Sequence, residues 1–227
     1  MALRPSIPGV YRKLFAANGR QRWWPGDSNF EIMIGAILTQ NTAWANVEKA
    51  IANLKKAKAL SPRAIVKAHP KRLAAWLKPS GYFNIKAVRL RAMCRWLLER
   101  GGARKLAKLP THELRHALLA VHGIGPETAD DILLYAFERP VFVIDAYTHR
   151  ILGRHKLGPQ TPDYETVRAF FESSLPADPA LYNEFHALIV YAGKNWCRKS
   201  IPRCDECPLL PYLPQDSQIR QVLERPA

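Results

Sequence analysis

Residues 119–150, LAVHGIGPETADDILLYAFERPVFVIDAYTHR, decide how this chain folds. A helix-like run, Leu114 to Val121, leads into the turn Gly123-Ile124-Gly125, and a second helix starts at once with Pro126 and Glu127. Proline suits the first helical position, where its missing N–H would have no partner anyway. Two glycines around an apolar residue leave backbone amides facing outward at a helix start. Free N–H groups and the helix dipole both favour an anion there, a phosphate above all. A short apolar run, Val141 to Ile144, then ends on Asp145, just before a further helix. An aspartate in that place caps the helix, worth roughly 1 kcal/mol. The same amide hydrogen bonds keep a carboxylate ionised. Beside a sugar, such a carboxylate stabilises positive charge at the anomeric carbon or orients a water to attack it.

Outward from this stretch, apolar residues recur with a period near 3.6 and alternation is almost absent, which predicts an all-α protein. Helices are expected at Ile7–Ala17, Asn29–Leu38, Trp44–Ala57, Pro62–Ala68, Pro70–Leu77, Ile85–Arg100, Thr111–Val121, Pro126–Phe137, Tyr147–Lys156, Tyr164–Ser174 and Leu181–Trp196. Ser61 is placed to cap the helix that Pro62 opens. The piece RQRWWPGD, Arg20 to Asp27, reads as exposed and non-helical. The loop Gly158 to Asp163 and the Pro-rich tail beyond Pro208 read as coil.

With 227 residues the chain can build one large domain or two small ones. A hydrophobic content of 48% argues against disorder. The net charge of +15, from 34 Lys+Arg against 19 Asp+Glu, points to a polyanion such as nucleic acid or an acidic membrane surface. No apolar stretch is long enough to span a bilayer and no signal-peptide core is seen, so a cytoplasmic protein is the expectation. Of the four cysteines, Cys197, Cys204 and Cys207 crowd near the C-terminus, which argues for a metal or cluster over disulfides. Cys94 sits mid-helix as a small buried residue.

The combination of GIGPETA, a Pro-containing link and VIDAYTHRI resembles the helix-hairpin-helix, Gly/Pro-rich loop, Asp superfamily of DNA glycosylases. FEIMIGAILTQNT, Phe30 to Thr42, looks like that superfamily's second helix and the loop that enters DNA. The resemblance implies that Gly123, Ile124 and Gly125 hold the DNA backbone without reading sequence and that Asp145 is the catalytic residue. It also implies that Gln40 or Asn41 fills the gap left by a flipped base, although Asn41 could equally cap the next helix.

In endonuclease III-like members a lysine two residues beyond the hairpin forms a Schiff base with the sugar. Glu127 stands in that place here, and a carboxylate cannot form an imine. A monofunctional, water-using glycosylase without AP-lyase activity is therefore expected. Glu127 is either an auxiliary group or, the more economical reading, a solvated first-turn acid that suits the helix dipole.

WWP at Trp23 to Pro25, TQNT followed by Trp44, and PSGYFNIKA at Pro79 to Ala87 resemble a bacterial 3-methyladenine DNA glycosylase branch, which also carries glutamate at the hairpin. That resemblance implies that Trp44 and one of Trp23 and Trp24 stack on the flipped base, with Pro25 touching it. An N3-alkylated purine is cationic and its glycosidic bond already weak, and tryptophan faces attract cations. The alternative is that these tryptophans are packing residues, a reading with most weight for Trp24.

The tail C-x6-C-x2-C looks like the start of the iron–sulfur motif of the endonuclease III branch. The fourth cysteine of that motif would fall at position 213, which is Leu213. A [4Fe–4S] cluster on three thiolates with an unidentified fourth ligand is the leading expectation, because the C-x6-C-x2-C-P spacing is intact; a zinc site and a decayed site holding nothing are the alternatives.

The fold expected is all-α, two-lobed and endonuclease III-like. One lobe, of six helices, spans 27–139 and carries the helix-hairpin-helix at about 112–137; the other combines 1–26 with 140–227, Asp145 and the cysteine loop. The expected function is hydrolytic removal of alkylated purines, chiefly 3-methyladenine, from double-stranded DNA in base excision repair. A monomer away from any membrane, nucleoid-associated in a bacterium, is the expected form. The competing readings are an endonuclease III-like glycosylase for oxidised pyrimidines and a non-catalytic module that binds damaged DNA.

Overall fold

The computed structural model describes residues 6–21, 23–24, 26–159 and 163–217. Pro25, part of the 158–163 loop and part of the tail lie outside them. The described residues form twelve α-helices and no strand. These are α1 Ile7–Asn18, α2 Asn29–Leu38, α3 Trp44–Lys56, α4 Pro62–Lys67, α5 Pro70–Leu77, α6 Phe83–Glu99, α7 Ala103–Leu106, α8 Thr111–Leu119, α9 Pro126–Asp131, α10 Ala146–His155, α11 Tyr164–Ser174 and α12 Pro179–Asn195.

Short polar side chains start six of the twelve helices. Ser6, Ser28 and Ser61 accept from the amides of Gly9, Glu31 and Ala64. Asp145, Asp163 and Asp178 do the same for Thr148, Thr166 and Ala180. Each satisfies an amide that the helix itself leaves unpaired. Two helix starts differ by two residues from the periodic reading, and the expected cap of α3 is replaced. Helix α12 begins at Pro179, because Asp178 caps it and proline fits its first turn. Helix α6 begins at Phe83 with Tyr82 in the left-handed region, φ 46°, and no side-chain cap. Ala43, not Asn41, stands at the start of α3, and no side chain caps that helix.

The chain forms two compact units, Met1–Trp24 with Pro140–Ala227, and Pro25–Arg139. In the continuous unit the apolar helix α2 is buried on nearly every side, packed on α3, α6 and α9. Its last carbonyl is met by a buried lysine: Lys86 Nζ donates to Leu38 O at 2.9 Å and also to Ser80 O, after α5, at 2.7 Å. Burial in this setting lowers the Lys86 ammonium to about 8, with the Arg89 charge adding to it. Helix α9 runs on into a π-helical segment, Ile132–Ala136, whose final carbonyl accepts from Asn29 Nδ2 at 2.7 Å.

In the two-segment unit, α1 and α10 pack on α12. Val141 to Ile144 are buried without a strand partner. Their amides use side chains instead: Phe142 N donates to Glu172 Oε1 at 3.0 Å and Ile144 N to Tyr164 Oη at 3.4 Å. Phe142 stacks on Phe171, ring centroids 4.2 Å apart, with Tyr182 and Phe185 edge-on to it. An extended segment held in this way delivers Asp145 at a fixed point.

Candidate functional site

The hairpin is built in the continuous unit. Arg115 of α8 grips Asp130 of α9 with two hydrogen bonds, Nε to Oδ1 at 2.7 Å and Nη2 to Oδ2 at 3.1 Å. Asp130 is fully buried, so this bidentate pair fixes the angle between the two helices. Ile124 points inward, while Gly125 and Glu127 are exposed. Gly123 has φ +84°, and a Cβ there would lie 2.3 Å from Arg89 Cγ. Gly125 has an ordinary φ of −94°, and a Cβ there would meet nothing within 4 Å. Gly123 is thus required by the protein's own packing, whereas the space in front of Gly125 stays open.

Gln40 and Asn41, adjacent in sequence, differ in their surroundings. Gln40 Nε2 donates to Gly123 O at 3.1 Å and to Thr128 Oγ1 at 2.9 Å, and its Oε1 accepts from Arg89. That amide joins the α2–α3 loop to the hairpin. Asn41 is exposed with φ 53°. Trp44, at the first turn of α3, donates from its indole to Glu48 Oε1 at 3.0 Å. It lines a cleft of about 220 Å³ with Asp27, Glu31, Glu48, Ile51 and Lys55. Lys55 bridges the exposed Asp27 and the buried Glu31 at 2.7 Å each.

The two-segment unit holds the carboxylate. Asp145 Oδ1 accepts from Thr148 N at 2.7 Å and from Thr148 Oγ1 at 2.8 Å. Its other oxygen, Oδ2, lies 3.6 Å from His186 Nε2 of α12. Burial pushes this carboxyl up, but the His186 ring and the Thr148 donors outweigh it and hold it below the usual carboxylate range. Asp145 is therefore a cap and an ionised carboxylate at once. His186 was not singled out in the sequence. It lies in the apolar run Phe185-His186-Ala187-Leu188, and a lone polar residue there was the one available signal.

Trp23 and Trp24 are half-buried in the same unit, edge-to-face with centroids 5.9 Å apart. The Lys194 ammonium sits 5.5 Å from the Trp23 ring centre, so that face already attracts a cation. Pro25 lies outside the described residues.

Cys197, Cys204 and Cys207 are buried around one loop. Burial and then the neighbouring Cys197 thiol raise Cys204, and burial first of all pushes Cys207 up to about 11. Arg154 Nη1 is 3.1 Å from Cys197 Sγ, and Arg150 Nε donates to Cys197 O at 2.6 Å. Leu213, at the position of the fourth ligand, is buried. Among the described residues, no three His, Cys, Asp or Glu side chains converge to hold a metal. This donor set does not fit a four-thiolate cluster. Cys94 is fully buried in α6, which pushes its thiol up to about 12. No helix among the described residues is long and apolar enough to cross a membrane.

A sequence model of HhH-GPD superfamily base excision DNA repair proteins matches residues 34–177. A Methanocaldococcus jannaschii protein assigned to the DNA repair glycosylases is 42% identical over 203 residues, covering 88% of this chain and 92% of its own. The H. pylori 3-methyladenine DNA glycosylase, solved bound to 1,N6-ethenoadenine, superposes with a TM-score of 0.73 at 29% identity, over 84% of this chain and 98% of its own. An endonuclease III in a non-covalent DNA complex superposes with a TM-score of 0.80 at 20% identity, over 95% and 97%. The all-α architecture is that of the endonuclease III fold.

Proposed function

The chain belongs to the HhH-GPD superfamily of base excision DNA repair proteins, and from that premise we propose that it is a monofunctional DNA glycosylase that hydrolyses alkylated purines of the 3-methyladenine type out of duplex DNA. The observation that carries this reading is the buried Asp145, held as an ionised carboxylate at the start of α10, in a chain whose hairpin carries Glu127 at the second position of α9. The glycosidic bond breaks with its electron pair leaving on the base, and a base that starts cationic leaves neutral. The sugar keeps the positive charge at C1′, where the Asp145 carboxylate stabilises it electrostatically. Water then adds at C1′ and gives up a proton. No amine stands at the Glu127 position to form an imine, so the strand stays uncut.

The exposed hairpin, with open space before Gly125, is read as the backbone anchor. Asn41, rather than the engaged Gln40, is read as the residue that enters the gap. Trp44, Trp23 and Trp24 supply aromatic faces for the flipped base, and Glu127 serves as a first-turn acid. The alkylated-purine reading draws support from the H. pylori enzyme, whose ligand is a modified adenine. The cysteine loop is read as metal-free, held by Arg150, Arg154 and the packing of Leu213.

The test is to incubate the protein and Asp145→Asn with methylated DNA and with oxidised DNA, identify released bases by mass, and add borohydride. The expected result is release of 3-methyladenine by the parent, none by Asp145→Asn, and no trapped adduct. Release of oxidised pyrimidines with a trapped adduct would establish the endonuclease III-like alternative. Binding without release of any base would leave only a damage-binding module.

A further inference from the structure

We infer that His186 is the positioning residue for Asp145, donating from Nε2 to the carboxylate oxygen that Thr148 does not cover. The inference rests on the reading of Asp145 as the catalytic carboxylate. Both Thr148 donors fall on Oδ1, at 2.7 and 2.8 Å, so they pin one end of the carboxylate. The other end faces His186 Nε2 at 3.6 Å. Side-chain exposure is 5% for His186 and 12% for Asp145, so water has little part in fixing this pair. A separation slightly beyond hydrogen-bond length is common in catalytic pairs and closes when substrate engages.

The surroundings explain why a polar ring at this place serves Asp145. His186 lies midway along α12 between Phe185 and Ala187, both buried, and Leu188 beyond them is buried too. Packing alone would be met by leucine. Helix α12 packs against α10, whose first turn Asp145 caps, so the ring sits across a rigid interface from its partner. An imidazole with a proton on Nε2 can donate to that oxygen, which leucine cannot. The geometry therefore suits a donor that sets the plane of the carboxylate.

The test compares parent protein, His186→Leu and His186→Gln in single-turnover base release from methylated duplex, with duplex affinity and Tm measured alongside. His186→Leu is expected to slow release roughly 10- to 100-fold, the scale of a misplaced catalytic group, at nearly unchanged affinity and Tm. His186→Gln, whose amide can reach Oδ2, is expected to recover a large part of the rate. Equal rates for His186→Leu and parent would overturn the inference, and so would a glutamine variant as slow as the leucine one. His186→Ala supplies a further readout, since added imidazole should restore its rate and failure to do so would also count against the pairing. A parent protein that releases no base from any duplex would instead defeat the functional reading itself.

Discussion

At the scale of single residues, Gly123 and Gly125 separate two reasons for a glycine. Alanine at 123 would need φ +84° and would drive its Cβ into Arg89, whose guanidinium holds Gln40, which in turn holds the hairpin. Gly123→Ala is expected to cost roughly 2–4 kcal/mol, from left-handed strain and overpacking together, seen as a lowered Tm. Gly125→Ala is expected to leave Tm almost unchanged, because its Cβ meets nothing, and yet to weaken duplex binding. A Gly125→Ala variant that binds duplex as well as the parent would show that no backbone approaches there. Asp145 could be read from sequence because a cap and an ionised carboxylate demand the same residue before the same helix. Its partner His186 could not. The pairing comes from how α10 meets α12, and no local pattern announces it.

At the scale of elements, helix starts were legible at Ser61 and Asp163, because capping is a contact between near neighbours in sequence, but not at Asp178, where the apolar pattern resumes only at Leu181. Among the starts without a side-chain cap, those at Trp44, Pro70, Thr111 and Pro126 were legible and that at Phe83 was not, nor was the four-residue α7, too short to show a period. The cradle of the α2–α3 loop was equally hidden, because Gln40 reaches Gly123 across 83 positions. The cysteine loop tests the opposite case, a motif legible in spacing but lacking its last ligand. Anaerobically purified protein is expected to contain far less than stoichiometric iron and no iron–sulfur absorbance, and to keep its fold in chelator. A coloured protein that loses structure when its iron is removed would overturn that reading.

At the scale of the whole molecule, the charge of +15 sets how binding responds to salt. Each phosphate neutralised by Lys or Arg releases condensed counterions. Duplex affinity is therefore expected to fall by roughly 1000-fold or more between 50 and 200 mM salt if six or more phosphates are contacted. A flat response in a filter-binding or anisotropy titration would mean that the surplus charge serves something other than DNA. The all-α class was legible because periodicity is a whole-chain signal. The arrangement of the chain into a continuous unit and a unit made from both of its flanks has a further consequence, one of timing. The stretch 25–139 leaves the ribosome in one piece and can settle as soon as it is made. Helix α1, made before it, must wait for α11 and α12 to find its core. Trp23, Asp145, His186 and Lys194 all belong to that later assembly. During synthesis, then, the stretch carrying the hairpin is complete before the unit carrying the carboxylate, and a nascent chain acquires its buried carboxylate last.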